Sequence, residues 1–150
     1  NTFDADFIPD PWDEELARFL SNVMGRESPF SEHYGYYADF VRPDAYENFP
    51  PGFQERLVSV PGIENVAALE PHDMAVAKLF AGRPKDIRLL AAPLHLGKLD
   101  ESLLRKRLWD TPMIEKWIVK TQGVLEQVVA AAKRLSNGDV EVQSLQFPET

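Results

Sequence analysis

Hydrophobic and polar positions follow two different rhythms along this chain, and the change falls near Glu70. Before it, short aromatic or β-branched runs stand between stretches bearing proline and glycine, the pattern of strands. Residues 1–9 predict a first strand ending at Pro9. Trp12, Leu16, Phe19, Leu20 and Val23 then fall at i, i+4, i+7, i+8 and i+11. That spacing predicts an amphipathic helix with its stripe toward the core, Asp10 at the N-cap, Pro11 in the first turn and Gly25 as the stop. Residues 26–32 read as a loop and 35–41 as a second strand. Residues 42–52, with Pro43, Pro50 and Pro51, read as irregular. Residues 55–60 and 65–69 are spaced to form a hairpin through Pro61 and Gly62.

After Glu70 the period becomes helical. Pro71 opens a helix with Asp73 in its first turn, where a negative charge suits the positive end of the helix dipole. Residues 74–81 are apolar on every side except at Lys78, which predicts a buried helix closed by Gly82. Ile87, Leu90, Ala91 and Leu94 repeat at helical spacing, and Pro93 predicts a kink or an end near Ala91. Asp100 caps a short helix carrying Leu103, Leu104 and Leu108. Thr111 and Pro112 start the longest helix, running to about Leu135 with Ile114, Trp117, Ile118, Leu125, Val128 and Val129 inward, and Asn137-Gly138 ends it. Residues 140–147 read as a last edge strand. Strands followed by helices make the class α+β, in one domain.

Composition narrows this picture. The 150 residues suffice for one ordinary domain with a core, and 44% hydrophobic with 27% charged residues is a globular balance. A net charge of −8 argues against extended DNA binding, which needs a basic stripe, but not against a small phosphorylated ligand that brings its own metal. There is no cysteine, which excludes disulfides and thiolate metal sites and fits a reducing, cytoplasmic setting. No apolar run approaches the ~20 residues of a membrane span.

Asp4 and Asp6 interrupt the apolar first strand. Side chains repeat every two residues on a strand, so both carboxylates take one face and Phe3, Ala5 and Phe7 the other. Their Cα atoms lie roughly 6.6 Å apart on an extended chain, near enough for two oxygens to hold one divalent cation. A solvated edge strand explains the same spacing. Asp39 is the one charged residue of the second strand, either a ligand or a solvated strand end. His33, His72 and His95 have no metal-ligand spacing, and His72 reads as a capping or surface residue. Ser28, Ser31 and Ser59 lie in no nucleophile-elbow context, and there is no P-loop. Tyr34, Tyr36 and Tyr37 beside Phe30 suit either a stacked base or the core.

The run Glu70-Pro71-His72-Asp73-Met74-Ala75-Val76-Ala77-Lys78-Leu79-Phe80-Ala81-Gly82-Arg83-Pro84-Lys85-Asp86 resembles the signature of an uncharacterised bacterial family of nucleotidyltransferase-like proteins, related to AbiEii-type toxins and to the polymerase-β-like nucleotidyltransferases. Gly35-Tyr36-Tyr37-Ala38-Asp39 and Asp4-Ala5-Asp6 resemble the same family in the same order, over residues 2 to about 110. The resemblance implies a nucleotidyltransferase-like mixed sheet followed by helices. It also implies that Asp4, Asp6 and Asp39 hold Mg²⁺ (or Mn²⁺) as catalytic and metal-binding acids, and that a nucleoside triphosphate gives its nucleotide to an acceptor hydroxyl. Lys78, Arg83 and Asp86 are then nucleotide-binding candidates, against the structural reading of an ion pair locking two helices. The superfamily places a Gly-Ser or Gly-Gly turn upstream of the D-x-D strand. The expectation is that residues before Asn1 supply it, or that the turn is lost and a triphosphate is not held in the usual way. Two functional classes follow. One is a Mg²⁺-dependent nucleotidyltransferase, such as the toxin of a toxin–antitoxin pair, with an RNA or protein acceptor and an antitoxin partner. The other is a catalytically inactive relative serving as a binding or assembly module.

Overall fold

A computed structural model describes residues 4–112 and 115–138, with the backbone alone at Asp4 and Glu115. The chain falls into two compact units, the first ending at Glu47 and the second beginning at Asn48. The class is α+β: among the described residues the strands all precede α3, and two of the six α-helices stand between β1 and β2.

The first unit holds β1 (Asp4–Phe7), α1 (Glu14–Met24), α2 (Pro29–Tyr34) and β2 (Tyr37–Phe40). The strands pair in parallel, with Asp4 opposite Tyr37, Ala5 opposite Ala38, Asp6 opposite Asp39 and Phe7 opposite Phe40. Parallel strands need a crossover rather than a tight turn, and α1 and α2 provide it. One face of the pair is apolar: Ala38 is buried and the Phe7 and Phe40 rings stack at 6.0 Å.

Several expectations for this unit are corrected. Helix α1 is capped by Asp13, not Asp10: its carboxylate accepts the Leu16 N–H at 2.9 Å, which sets Glu14 and Glu15 in the first turn. The apolar stripe of α1 is not core. Leu16, Phe19 and Val23 are 46%, 61% and 45% exposed, and the buried residue of the helix is Ala17. The helix packs on β2, and a two-stranded sheet is too narrow to cover a stripe some 100° wide. Residues 26–32 are not all loop, because Ser28 caps α2 by accepting the Ser31 N–H at 3.2 Å and Pro29 takes the first turn. Gly35 ends α2 at φ 75°, in the left-handed region.

The second unit begins with a hairpin shorter than its sequence suggests. Gln54–Arg56 forms a 3₁₀ turn, and only β3 (Val58–Ser59) and β4 (Ala67–Ala68) pair, antiparallel and exposed. Another 3₁₀ stretch, Pro43–Asn48, closes the first unit and occupies part of the segment expected to be irregular. Four helices follow: α3 (Pro71–Ala81), α4 (Pro84–His95), α5 (Glu101–Asp110) and α6 (Glu115–Ser136). Their core is Ala75, Val76 and Leu79 of α3, Leu90 of α4, Leu104 and Leu108 of α5, and Val124, Leu125, Val128 and Val129 of α6, closed by Leu99. Gly82 ends α3 at φ 64°, and a Cβ there would meet Val124 Cγ2 at 3.0 Å, so both backbone and packing ask for glycine.

Pro93 does not end α4 at Ala91; the helix continues to His95. So near a C-terminus the missing N–H removes one bond only, and the Pro93 carbonyl accepts the Lys98 N–H at 2.8 Å as the chain leaves. Thr111 closes α5 instead of opening α6, its hydroxyl donating to the Arg107 carbonyl at 2.7 Å. The expected strand at 140–147 and the inward Ile114 lie outside the described residues.

Candidate functional site

The parallel register decides what the acids can do together. Residues directly opposite in a parallel pair point to the same face, so Asp6 and Asp39 stand side by side on strands roughly 4.8 Å apart. Tyr37 lies two residues before Asp39 and shares that face. Asp6 is exposed and Asp39 half-buried, so the face opposite the Phe7–Phe40 stack is the polar one. The backbone of Asp4 is registered with Tyr37; its side chain lies outside the described residues. Among the described residues no group of three His, Cys, Asp or Glu side chains is arranged to hold a metal ion. Two described carboxylates in register, with oxygen as the only donor type, suit a hard cation that completes its shell with water and phosphate.

Arg26, which nothing in the sequence singled out, reaches this face from the connection between α1 and α2. Its Nη2 donates to the Tyr37 hydroxyl at 2.8 Å, and its guanidinium carbon lies 5.1 Å from the centre of the Tyr37 ring. The partners are eleven residues apart, in a segment without a periodic signal. Tyr34 and Tyr36 are 55% and 47% exposed and gather around Phe30, with centroids 4.8 and 5.5 Å from its ring, so they are not core residues.

Lys78, Arg83 and Asp86 belong to the second unit and come together there. Asp86 is 2% exposed. Its carboxylate accepts the Arg83 backbone N–H at 3.1 Å and the Arg83 Nε at 2.7 Å, closing the first turn of α4. Burial pushes the Asp86 carboxyl up, but the Arg83 bonds, with the charges of Arg83 and Lys78, outweigh it and hold the group below its ordinary value.

The same unit contains a charge cluster that the sequence concealed. Asp73, read as a first-turn dipole charge, is fully buried. It accepts Arg56 Nε at 2.8 Å and Arg56 Nη2 at 3.1 Å, and Arg107 Nη1 completes the clamp. Glu70 caps α3, accepting the His72 N–H at 3.0 Å, and also accepts Arg107 Nη1 at 3.2 Å. His72 is buried rather than on the surface, and Glu70 does the capping. The Asp100 backbone N–H donates to His72 Nε2 at 2.9 Å, so the ring proton sits on Nδ1 and points at Glu70 Oε1, 2.6 Å away. Burial raises the Glu70 carboxyl, but the hydrogen bonds it accepts from His72 and from the Asp73 N–H bring the balance below the ordinary range. Among the described residues no buried side-chain polar atom of this cluster lacks a hydrogen-bond partner, the mark of a structural lock rather than an open site.

No helix among the described residues is long and apolar enough to cross a membrane. A family model described as "Nucleotidyltransferase of unknown function (DUF6036)" matches residues 1–134. No curated protein and no solved structure matched the chain. With a match over that length, and with two acids in register on a parallel strand pair, the chain belongs to this nucleotidyltransferase family.

Proposed function

We propose that the protein is a Mg²⁺-dependent nucleotidyltransferase that moves a nucleotide from a nucleoside triphosphate to an acceptor hydroxyl, with Asp4, Asp6 and Asp39 as its metal-holding acids. The observation that carries this reading is the pairing of Asp6 with Asp39 in a chain of a nucleotidyltransferase family. Asp6 and Asp39 offer carboxylate oxygens from adjacent strands, and Asp4 precedes Asp6 by the two residues that strand alternation requires. Magnesium is commonly held by one or two carboxylates plus the phosphates of its substrate, so a pair with a third acid nearby fits it. When bound, such an ion neutralises phosphate charge and lowers the barrier to in-line displacement. The chain's own residues hold the acids at fixed spacing: the Phe7–Phe40 stack and buried Ala38 anchor the opposite face of the strands. The resemblance to AbiEii-type toxins supports an RNA or protein acceptor and an antitoxin partner.

Calorimetric titration of each of the four nucleoside triphosphates, with Mg²⁺ or Mn²⁺, tests the reading. Metal-dependent binding is expected, and the double variant Asp4→Asn, Asp6→Asn is expected to abolish it with no change in melting temperature. Absence of binding with every nucleotide and both metals would remove the enzymatic reading.

A further inference from the structure

Arg26 differs from the other positioned arginines in what holds it. Arg42, Arg56, Arg83, Arg105 and Arg107 each end on a carboxylate. Arg26 ends on the hydroxyl and ring of Tyr37, and among the described residues no carboxylate pairs with it. This matters in a chain with 24 acidic and 16 basic residues, where carboxylate partners are plentiful. A carboxylate would orient the guanidinium and cancel its charge. A phenol orients it and leaves the charge and the remaining donors available.

The position is as informative as the partner. Tyr37 is on the face of Asp6 and Asp39, and its Cα is opposite that of Asp4. Strand rise sets the Tyr37 and Asp39 Cα atoms roughly 6.6 Å apart. Arg26 also lines an open polar cavity of about 460 Å³ with Ser21, Asn22, Glu27 and Ser28. A fixed cation thus borders a face of carboxylates without neutralising them, which suits a ligand that bears negative charge and reaches the acids through a divalent metal.

We propose that Arg26 grips the phosphate chain of the nucleoside triphosphate, with Tyr37 as the residue that positions it. This rests on the nucleotidyltransferase reading above and adds a ligand contact that the resemblance does not supply. The planar fork of a guanidinium matches two phosphate oxygens at once, and an ammonium does not reproduce it.

The test is calorimetry on the whole chain with Mn²⁺ alone, inorganic pyrophosphate with Mn²⁺, and the four nucleoside triphosphates with Mn²⁺. Arg26→Gln is expected to weaken the triphosphates and pyrophosphate by about tenfold to a hundredfold, the scale of a hydrogen bond to a charged group. Its affinity for Mn²⁺ alone and its melting temperature are expected to stay at wild-type values. Arg26→Lys should recover only part of the loss, and Tyr37→Phe should weaken pyrophosphate by a smaller factor. If wild type binds triphosphate with metal and Arg26→Gln binds it equally well, this inference falls and the enzymatic reading stands. If Arg26→Gln weakens Mn²⁺ alone as much as the triphosphates, the residue supports the strands rather than the ligand, and the inference falls again. If wild type binds no triphosphate with Mn²⁺ and none when the titrations are repeated with Mg²⁺, both fall together.

Discussion

The two units of this chain are stabilised in different ways. The second buries apolar residues from four helices, and its buried charges are locked in pairs: Asp73 between Arg56 and Arg107, Asp86 on Arg83. In the first, the hydrophobic side chains buried among the described residues are Ala17 and Ala38, and Leu16, Phe19 and Val23 of α1 stand exposed. The unit with the poorer core is the one that carries the D-x-D strand and Asp39. Groups that bind a charged ligand have to remain accessible, and clustering like charges on one face costs stability, so a binding face is a poor place to build a core. The second unit's acids show the opposite solution, in which protein cations satisfy them permanently.

That contrast can be broken by substitution. Asp73→Ala leaves Arg107, only 16% exposed, and Arg56 without their shared partner, and is expected to destabilise the protein by about 3–5 kcal/mol in denaturant titration. A loss under about 1 kcal/mol would mean that the clamp is not what holds α3 to α5. Next in size is a pair of truncations. Leu125→Ala, at a 1% exposed position, should cost about 2–5 kcal/mol, whereas Phe19→Ala, 61% exposed, should stay within about 0.5 kcal/mol of wild type. Equal costs would show that α1 is core after all.

The smallest effect is pH-dependent. Asp86→Asn removes the negative charge and one of the two acceptor oxygens that bond Arg83 at the first turn of α4, a loss of about 1 kcal/mol at pH 7. Because the folded Asp86 carboxyl lies below its ordinary 3.8, its stabilisation is complete above that pH and disappears as pH falls through the folded value. Glu70 behaves alike below its ordinary 4.5. Melting temperatures of wild type and Asp86→Asn should therefore converge as acid is added, and a gap that widens below pH 3.8 would contradict the assigned pairing.

Much of the second unit was legible because its signals are local. Pro71 and Gly82 bracket α3, Asp100 caps α5, and helical spacing marks Leu90, Ala91, Val128 and Val129. Its charge lock was not legible: Asp73 lies 17 residues from Arg56 and 34 from Arg107, and only the packed helices bring them together. In the first unit, the spacing of Asp4 and Asp6 and the strand at Asp39 could be read, but their parallel register could not, because strand alternation says nothing about partner or offset. The Ser28-Pro29 start of α2 was present as a cap signal and was hidden by the shortness of a six-residue helix. The stripe of α1 misled for a different reason. Periodicity shows that a helix has an apolar face, not that the neighbouring sheet is wide enough to cover it.

The central claim is that Asp6 and Asp39 act as one metal-binding pair. Mn²⁺ affinity measured by electron paramagnetic resonance for wild type, Asp6→Asn, Asp39→Asn and the double variant tests it most directly. Each single substitution is expected to weaken Mn²⁺ binding, and the double variant to lose less than the sum, with a coupling of about 0.5–3 kcal/mol. Strictly additive losses, or Mn²⁺ binding unaffected by either substitution, would contradict it.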